Sequence, residues 1–135
     1  MSTSALVLAL FIAWTLLLLV VMEAVRSYLV VAGKVPSNGF TPDNANLSPF
    51  MQRLARAHAN CLESLPVIGG LLLLAMVTAH TALTDPLAPI ILLARVVQSS
   101  IHVASLSVLA VNARFAAFAV QIGIAIYWVF ALIAA

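Results

Sequence analysis

The sequence is short of charge. Six Lys or Arg and four Asp or Glu make up 7% of its 135 residues, against about 25% in an ordinary soluble domain. With 64% of the chain hydrophobic, so little charge excludes a water-soluble globule. It also excludes a disordered chain, which combines low hydrophobicity with high net charge. Six basic residues cannot build the positive face that a nucleic acid requires. Cysteine is nearly missing: Cys61 stands alone, so no intrachain disulfide can form, and a small thiol in an apolar helix is packing material. His58, His80 and His102 fall on three different elements or faces, and no set of His, Cys and carboxylate residues has metal-ligand spacing, so no metal site is predicted. No Gly-rich phosphate loop, Ser-His-Asp set, internal repeat or lipidation signal is present.

What the chain has in abundance is long uncharged runs. A helix needs about 20 mainly apolar residues to span a bilayer. Four stretches approach that length: Ala5 to Met22, Ser64 to Thr84, Val96 to Ala113 and Phe115 to Ala135. The first is not a secretory leader, because its earliest basic residue, Arg26, follows the apolar run instead of preceding it. Ser48 before Pro49, and Asp85 before Pro86, each read as an N-cap followed by proline in the first helical position. The run from Gly33 to Ser48 carries two glycines and two prolines and reads as a loop. The sequence therefore predicts an all-α membrane protein, an up-down bundle of four transmembrane helices within one integral-membrane domain. The predicted helices cover about residues 4–32, 49–83, 86–111 and 114–134. Arg26, Lys34, Arg53 and Arg56 flank the first loop and Arg114 the third. The termini and the Asp85 turn carry no Lys or Arg, so both termini are predicted to be non-cytoplasmic.

An ionisable residue inside a span is a functional candidate by default, which singles out Glu23, Arg26, Glu63, Arg95 and His102. At about 100° per residue, Arg53, Arg56, Asn60 and Glu63 share an arc of roughly 80°. On the next helix Arg95, Gln98, Ser99, His102 and Ser105 share an arc of about 120°. Arg95 lies deep enough to need a buried partner, which Glu63 provides only if the helices are staggered or bent. Pro66 offers a bend, and Gly69 and Gly70 a close helix approach. Arginine forks suit carboxylates, a glutamate receives an ammonium, and an asparagine serves peptide amides. The inventory suits a small zwitterionic peptide.

The segment from Arg53 to Pro66, RLARAHANCLESLP, resembles the signature of the MAPEG superfamily, the membrane-associated proteins of eicosanoid and glutathione metabolism. Its matching elements are Arg53, Arg56, His58, Asn60, Glu63 and Pro66, followed by Arg95, a polar residue seven positions later, and Arg114. The resemblance implies a homotrimer in the lipid bilayer, with glutathione as co-substrate in a pocket between adjacent subunits. It implies that Arg56, Asn60 and Glu63 bind the peptide, joined by Arg26, Arg95, Gln98 and His102. Arg114 would be the catalytic residue, favouring the thiolate that attacks a lipophilic small-molecule electrophile or reduces a lipid hydroperoxide. Two departures weigh against an eicosanoid substrate. His102 stands where eicosanoid-synthesising members carry a tyrosine, and Ala59 where the prostaglandin-synthesising member carries an arginine.

Plainer roles exist for the same residues. Lys34, Arg53 and Arg114 suit headgroup anchoring. Glu23 and Arg26, three apart, can neutralise each other. Arg56, Asn60 and Glu63 can join helices by hydrogen bonds, and His102 can be a core histidine bonded to a serine. The alternative to a glutathione-dependent enzyme is a noncatalytic membrane scaffold or a small transporter on the same bundle. A proton-coupled exporter wants an unpaired intramembrane carboxylate, whereas both carboxylates here have arginines within helical reach.

Overall fold

A computed structural model describes residues 1–135. All regular structure is helical: α1 (Thr3–Val31), α2 (Pro49–Val77), the short α3 (Thr81–Thr84), α4 (Ala88–Ala104) and α5 (Val108–Ala134). By length and composition α1, α2 and α5 can each cross a membrane. The third predicted span, α4, has 17 residues and is about 26 Å long, short of the roughly 30 Å hydrocarbon core.

Two helices end earlier than the sequence predicted, and the reasons are local. α2 stops at Val77 rather than Leu83 because Ala79 turns left-handed at φ 60°. The His80 N–H then bonds the Ala75 carbonyl at 2.8 Å, and the Ala79 N–H bonds Met76 at 3.2 Å. These two bonds make a Schellman stop. α1 ends in the same way at Gly33, φ 71°, but there a glycine announces the turn and at Ala79 nothing does. The third connection also moves. α4 ends at Ala104, Ser105 is extended, and Ser107 caps α5 by accepting the Ala110 N–H. The predicted break near Asn112 is therefore helix, and Arg114 lies in the second turn of α5 instead of at its start.

Asp85 does not cap the helix that follows it. Its carboxylate accepts from the Ser4 N–H at 2.7 Å and the Ser4 hydroxyl at 2.6 Å. It thus satisfies the first turn of α1, where unpaired N–H groups and the helix dipole favour a negative charge. α2 continues as helix through Pro66. One turn earlier, the Ser64 hydroxyl donates to the Asn60 and Cys61 carbonyls at 3.0 and 3.2 Å.

α4 packs against α1, α2 and α5, most extensively against α5, and α1 pairs mainly with α2. The core has two layers. One joins Val7, Phe11, Leu72, Ile91 and Trp128; the other, toward the long loop, joins Leu18, Met22, Met51, Leu54 and Cys61. Of the two adjacent glycines only Gly69 lies in a helix contact, since a Cβ there would sit 3.1 Å from Leu8 Cδ1 while Gly70 faces open space.

Two outcomes follow. Ala79→Gly removes left-handed strain and should stabilise the protein by about 1 kcal/mol, raising the thermal midpoint in detergent, whereas Gly33→Ala should lower it. Gly69→Val should destabilise by about 1–3 kcal/mol through overpacking, while Gly70→Val leaves the midpoint unchanged within error.

Candidate functional site

α2, α4 and α5 enclose a groove of about 460 Å³, within the roughly 300–1,000 Å³ of small-molecule sites. Its polar lining comes from all three helices: Asn60, Glu63 and Ser64, then Arg95 and Gln98, then Arg114 and Gln121. Helical spacing makes this possible. Arg114, Phe118, Gln121 and Ala125 recur at intervals of four, three and four residues and so share one face of α5. The opposite character comes from Val111, Phe115, Phe118 and Ile122, whose apolar surface lines the same groove.

The site rests on a polar stripe of α4 that is wholly inside the bundle. Arg95, Gln98, Ser99 and His102 are 1%, 7%, 2% and 3% exposed. Ser99 meets Cys61 Sγ at 3.2 Å. Gln98 Oε1 accepts from Gln121 Nε2 at 2.9 Å. The Asn60 amide reaches His102 Nδ1 at 3.3 Å, and the other ring nitrogen, Nε2, is buried with no hydrogen-bond partner. Arg95 lies over the Phe11 ring, 5.8 Å from its centroid, a favourable cation–π placement. Its Nε and Nη1 have no hydrogen-bond partner. Glu63 does not pair with it, since the one ion pair in the chain is Arg26 with Glu23 at 2.9 Å.

Arg26 serves the long loop. Its Nε and Nη2 both donate to Asn44 Oδ1, and Nη2 also donates to the Thr41 carbonyl at 3.1 Å. Asn44 is fully buried, left-handed at φ 56°, and donates onward to the Met51 carbonyl at 2.8 Å. Asparagine tolerates that conformation better than other residues with a side chain. The loop is thereby fastened to both α1 and α2. Beside it, Asp43 accepts from the Thr41 hydroxyl and the Ala45 N–H, which hold its carboxyl below the usual value.

The groove therefore collects five of the residues singled out in the sequence: Asn60, Glu63, Arg95, Gln98 and Arg114. His102 stands behind Asn60 and supports its amide. Arg56 is exposed and lines a separate cleft of about 290 Å³ with Asp43, Gln52 and Arg53. Arg53 Nε donates to the Val103 carbonyl at 2.8 Å, which ties α2 to the end of α4. Sequence reasoning missed Ser64, Gln121 and Asn44. Gln121 was detectable, because it is a lone amide in the apolar run that follows Arg114.

A family model described as the MAPEG family matches residues 4–134. The chain belongs to the MAPEG family. It is accordingly an integral membrane protein built as a helical bundle, in a family generally associated with glutathione and with eicosanoid metabolism. No curated protein and no solved structure matches this MAPEG chain. Its membrane-spanning helices place it in contact with the lipid bilayer.

The Arg26 clamp makes a prediction. Arg26→Lys keeps the charge but cannot reproduce the fork on Asn44 and Thr41. It should make the segment from Gly33 to Ser48 several-fold more susceptible to limited proteolysis in detergent, with the helices still protected.

Proposed function

We propose that this MAPEG chain is a glutathione-dependent membrane enzyme, joining the glutathione sulfur to a lipophilic electrophile or reducing a lipid hydroperoxide. The observation that carries this reading is the groove's divided lining. Ionic and amide groups of α2 and α4 face a mainly apolar wall of α5 that carries two polar residues, Arg114 and Gln121. Glutathione offers two carboxylates, an ammonium and two amides. The unpartnered Nε and Nη1 of buried Arg95 suit a carboxylate. Glu63, free of any ion pair, suits the ammonium, and Asn60 and Gln98 suit the amides.

Arg114 is the catalytic residue in this reading. A guanidinium beside the sulfur favours the thiolate over the thiol, and the thiolate is the nucleophile. In transfer, sulfur forms a bond to the electrophilic carbon while a leaving group departs with its electron pair; where the carbon ends a double bond conjugated to a carbonyl, the π electrons move to the carbonyl oxygen and the enolate then takes a proton from water. In reduction, two glutathione thiols are oxidised to the disulfide as the hydroperoxide yields an alcohol and water. His102 positions Asn60 through its amide. The same reading takes the protein as a homotrimer with glutathione between adjacent chains, where the exposed Arg56 adds a cation, while Arg26 is committed to Asn44, Thr41 and Glu23 and fastens the loop beside the site. The basic residues gather at the end of the bundle that bears the long loop, which supports a cytoplasmic loop and non-cytoplasmic termini.

The test is calorimetric titration of glutathione into detergent-purified protein, beside variants that elute at the native size. Saturable binding at or below about 1 mM is expected, corresponding to about 4 kcal/mol. Glu63→Ala should weaken it at least about tenfold, equivalent to about 1.4 kcal/mol. Arg114→Ala should retain binding and lose the ultraviolet thiolate absorbance. No heat from a well-folded native protein would falsify the reading and return the weight to a scaffold or transporter.

A further inference from the structure

Deep in the groove one buried acceptor is left over. Gln121 is 1% exposed and lines the groove, yet its Oε1 has no hydrogen-bond partner. The amide cannot be turned round to remove the problem. Its Nε2 donates to the Ala117 carbonyl at 3.1 Å as well as to Gln98 Oε1 at 2.9 Å. A backbone carbonyl only accepts, so the nitrogen must lie on that side. A buried acceptor without a donor is destabilising, and such groups are rare unless a water or ligand satisfies them.

The position of this acceptor relative to Arg114 is fixed by the helix. Seven residues are nearly two full turns, so Gln121 lies about 10 Å along α5 from Arg114 and within about 20° of the same face. Phe115 and Phe118 stand between them, and Ile122 and Ala125 surround the amide on the groove wall. From the loop end inward α5 thus presents a cation, an apolar stretch and an acceptor. The apolar stretch suits a hydrocarbon chain and offers nothing to a charged tripeptide.

We propose that Gln121 is a specificity residue for the second substrate, and that this substrate is a lipid-soluble electrophile carrying a hydroxyl on its hydrocarbon chain, away from its reacting carbon. The inference rests on the enzyme reading above and adds the chemical class of the electrophile. Gln98 positions the amide by accepting from its nitrogen, which leaves Oε1 as the free end of a residue lining the groove; a hydroxyl reaches that covered atom by displacing a lining side chain. A site that pairs a substrate hydroxyl discriminates strongly against the analogue without it, because the buried protein group is then left unpaired.

The experiment uses two straight-chain vinyl ketones of equal length, one ending in a hydroxyl and one in a methyl. Loss of glutathione thiol is followed with the native protein in phospholipid vesicles, rates being corrected for partition of each ketone into the bilayer. The native protein should favour the hydroxyl ketone about tenfold in kcat/KM, the worth of one satisfied hydrogen bond. Gln121→Leu should abolish that preference and leave the KM for glutathione unchanged. If Gln121→Leu fails to fold, Gln121→Met, which keeps the side-chain length and leaves Gln98 in place, is read instead. Equal native rates for the two ketones would overturn the proposal, assigning the acceptor to water or a neighbouring chain. A KM for glutathione raised equally with both ketones would overturn it too, assigning the acceptor to the thiol substrate. Should the protein accelerate neither ketone above its uncatalysed addition to glutathione, the enzyme reading fails separately. Binding of the saturated counterparts of the two ketones then decides, a hydroxyl preference upholding the acceptor site and equal binding removing it.

Discussion

A membrane interior offers no water to a polar side chain, and α4 buries four of them on one stripe. Arg95, Gln98, Ser99 and His102 must therefore find partners on other helices. The partners they find determine the arrangement of the bundle. Cys61 and Asn60 bring α2 to one side, Gln121 brings α5 to the other, and Phe11 brings α1 beneath the guanidinium. α4 thus acts as the polar axis around which three apolar helices collect. Satisfaction is incomplete at Arg95 Nε and Nη1, His102 Nε2 and the Gln121 oxygen, and Arg95 and Gln121 line the groove. Binding capacity in this fold comes from the same stripe that holds it together.

The separation between the groove and the long loop is equally physical. Arg26 is committed to Asn44, Thr41 and Glu23, so its five donors are largely used before any ligand arrives. The loop it fastens holds the start of α2 through the Asn44 amide and the Met51 carbonyl. One fully buried asparagine therefore sets where α2 begins relative to α1. In a chain with so few polar residues, each one tends to carry a structural duty, and those without one are conspicuous. Glu63 and Arg114 are the charged residues of the groove that remain unpaired and partly accessible.

Much of this was legible in the residues. The apolar runs revealed a membrane bundle, and of the arcs on the second and third spans Asn60, Glu63, Arg95 and Gln98 line the groove, while Arg53, Arg56, Ser99, His102 and Ser105 do not. The errors have specific causes. α2 ends at Ala79 because a left-handed turn there is imposed by its surroundings, and alanine gives no sign of it, whereas Gly33 marked its own turn plainly. Asp85 beside Pro86 has the form of a cap, but the unsatisfied first turn of α1 lay closer in space than the helix that follows. Ser105 and Ser107 are weak polar punctuation inside a long apolar run, so the break they make was read several residues late, and Arg114 was placed at a helix start. Pairings such as Arg26 with Asn44 depend on a loop conformation that no spacing rule predicts.

The unequal helix lengths have a consequence for the surrounding lipid. α1, α2 and α5 are about 40–44 Å long, while α4 is about 26 Å. The long helices exceed a hydrocarbon layer of about 30 Å, so they tilt, extend into the headgroups or favour a thicker bilayer. α4 cannot follow them, because it is already shorter than the layer. Any change in tilt shears α2 and α5 along α4 and so alters the groove that these three helices share. A mismatch with the bilayer therefore falls on the long helices and not on α4, and the seam between the two kinds is the one along which the groove runs.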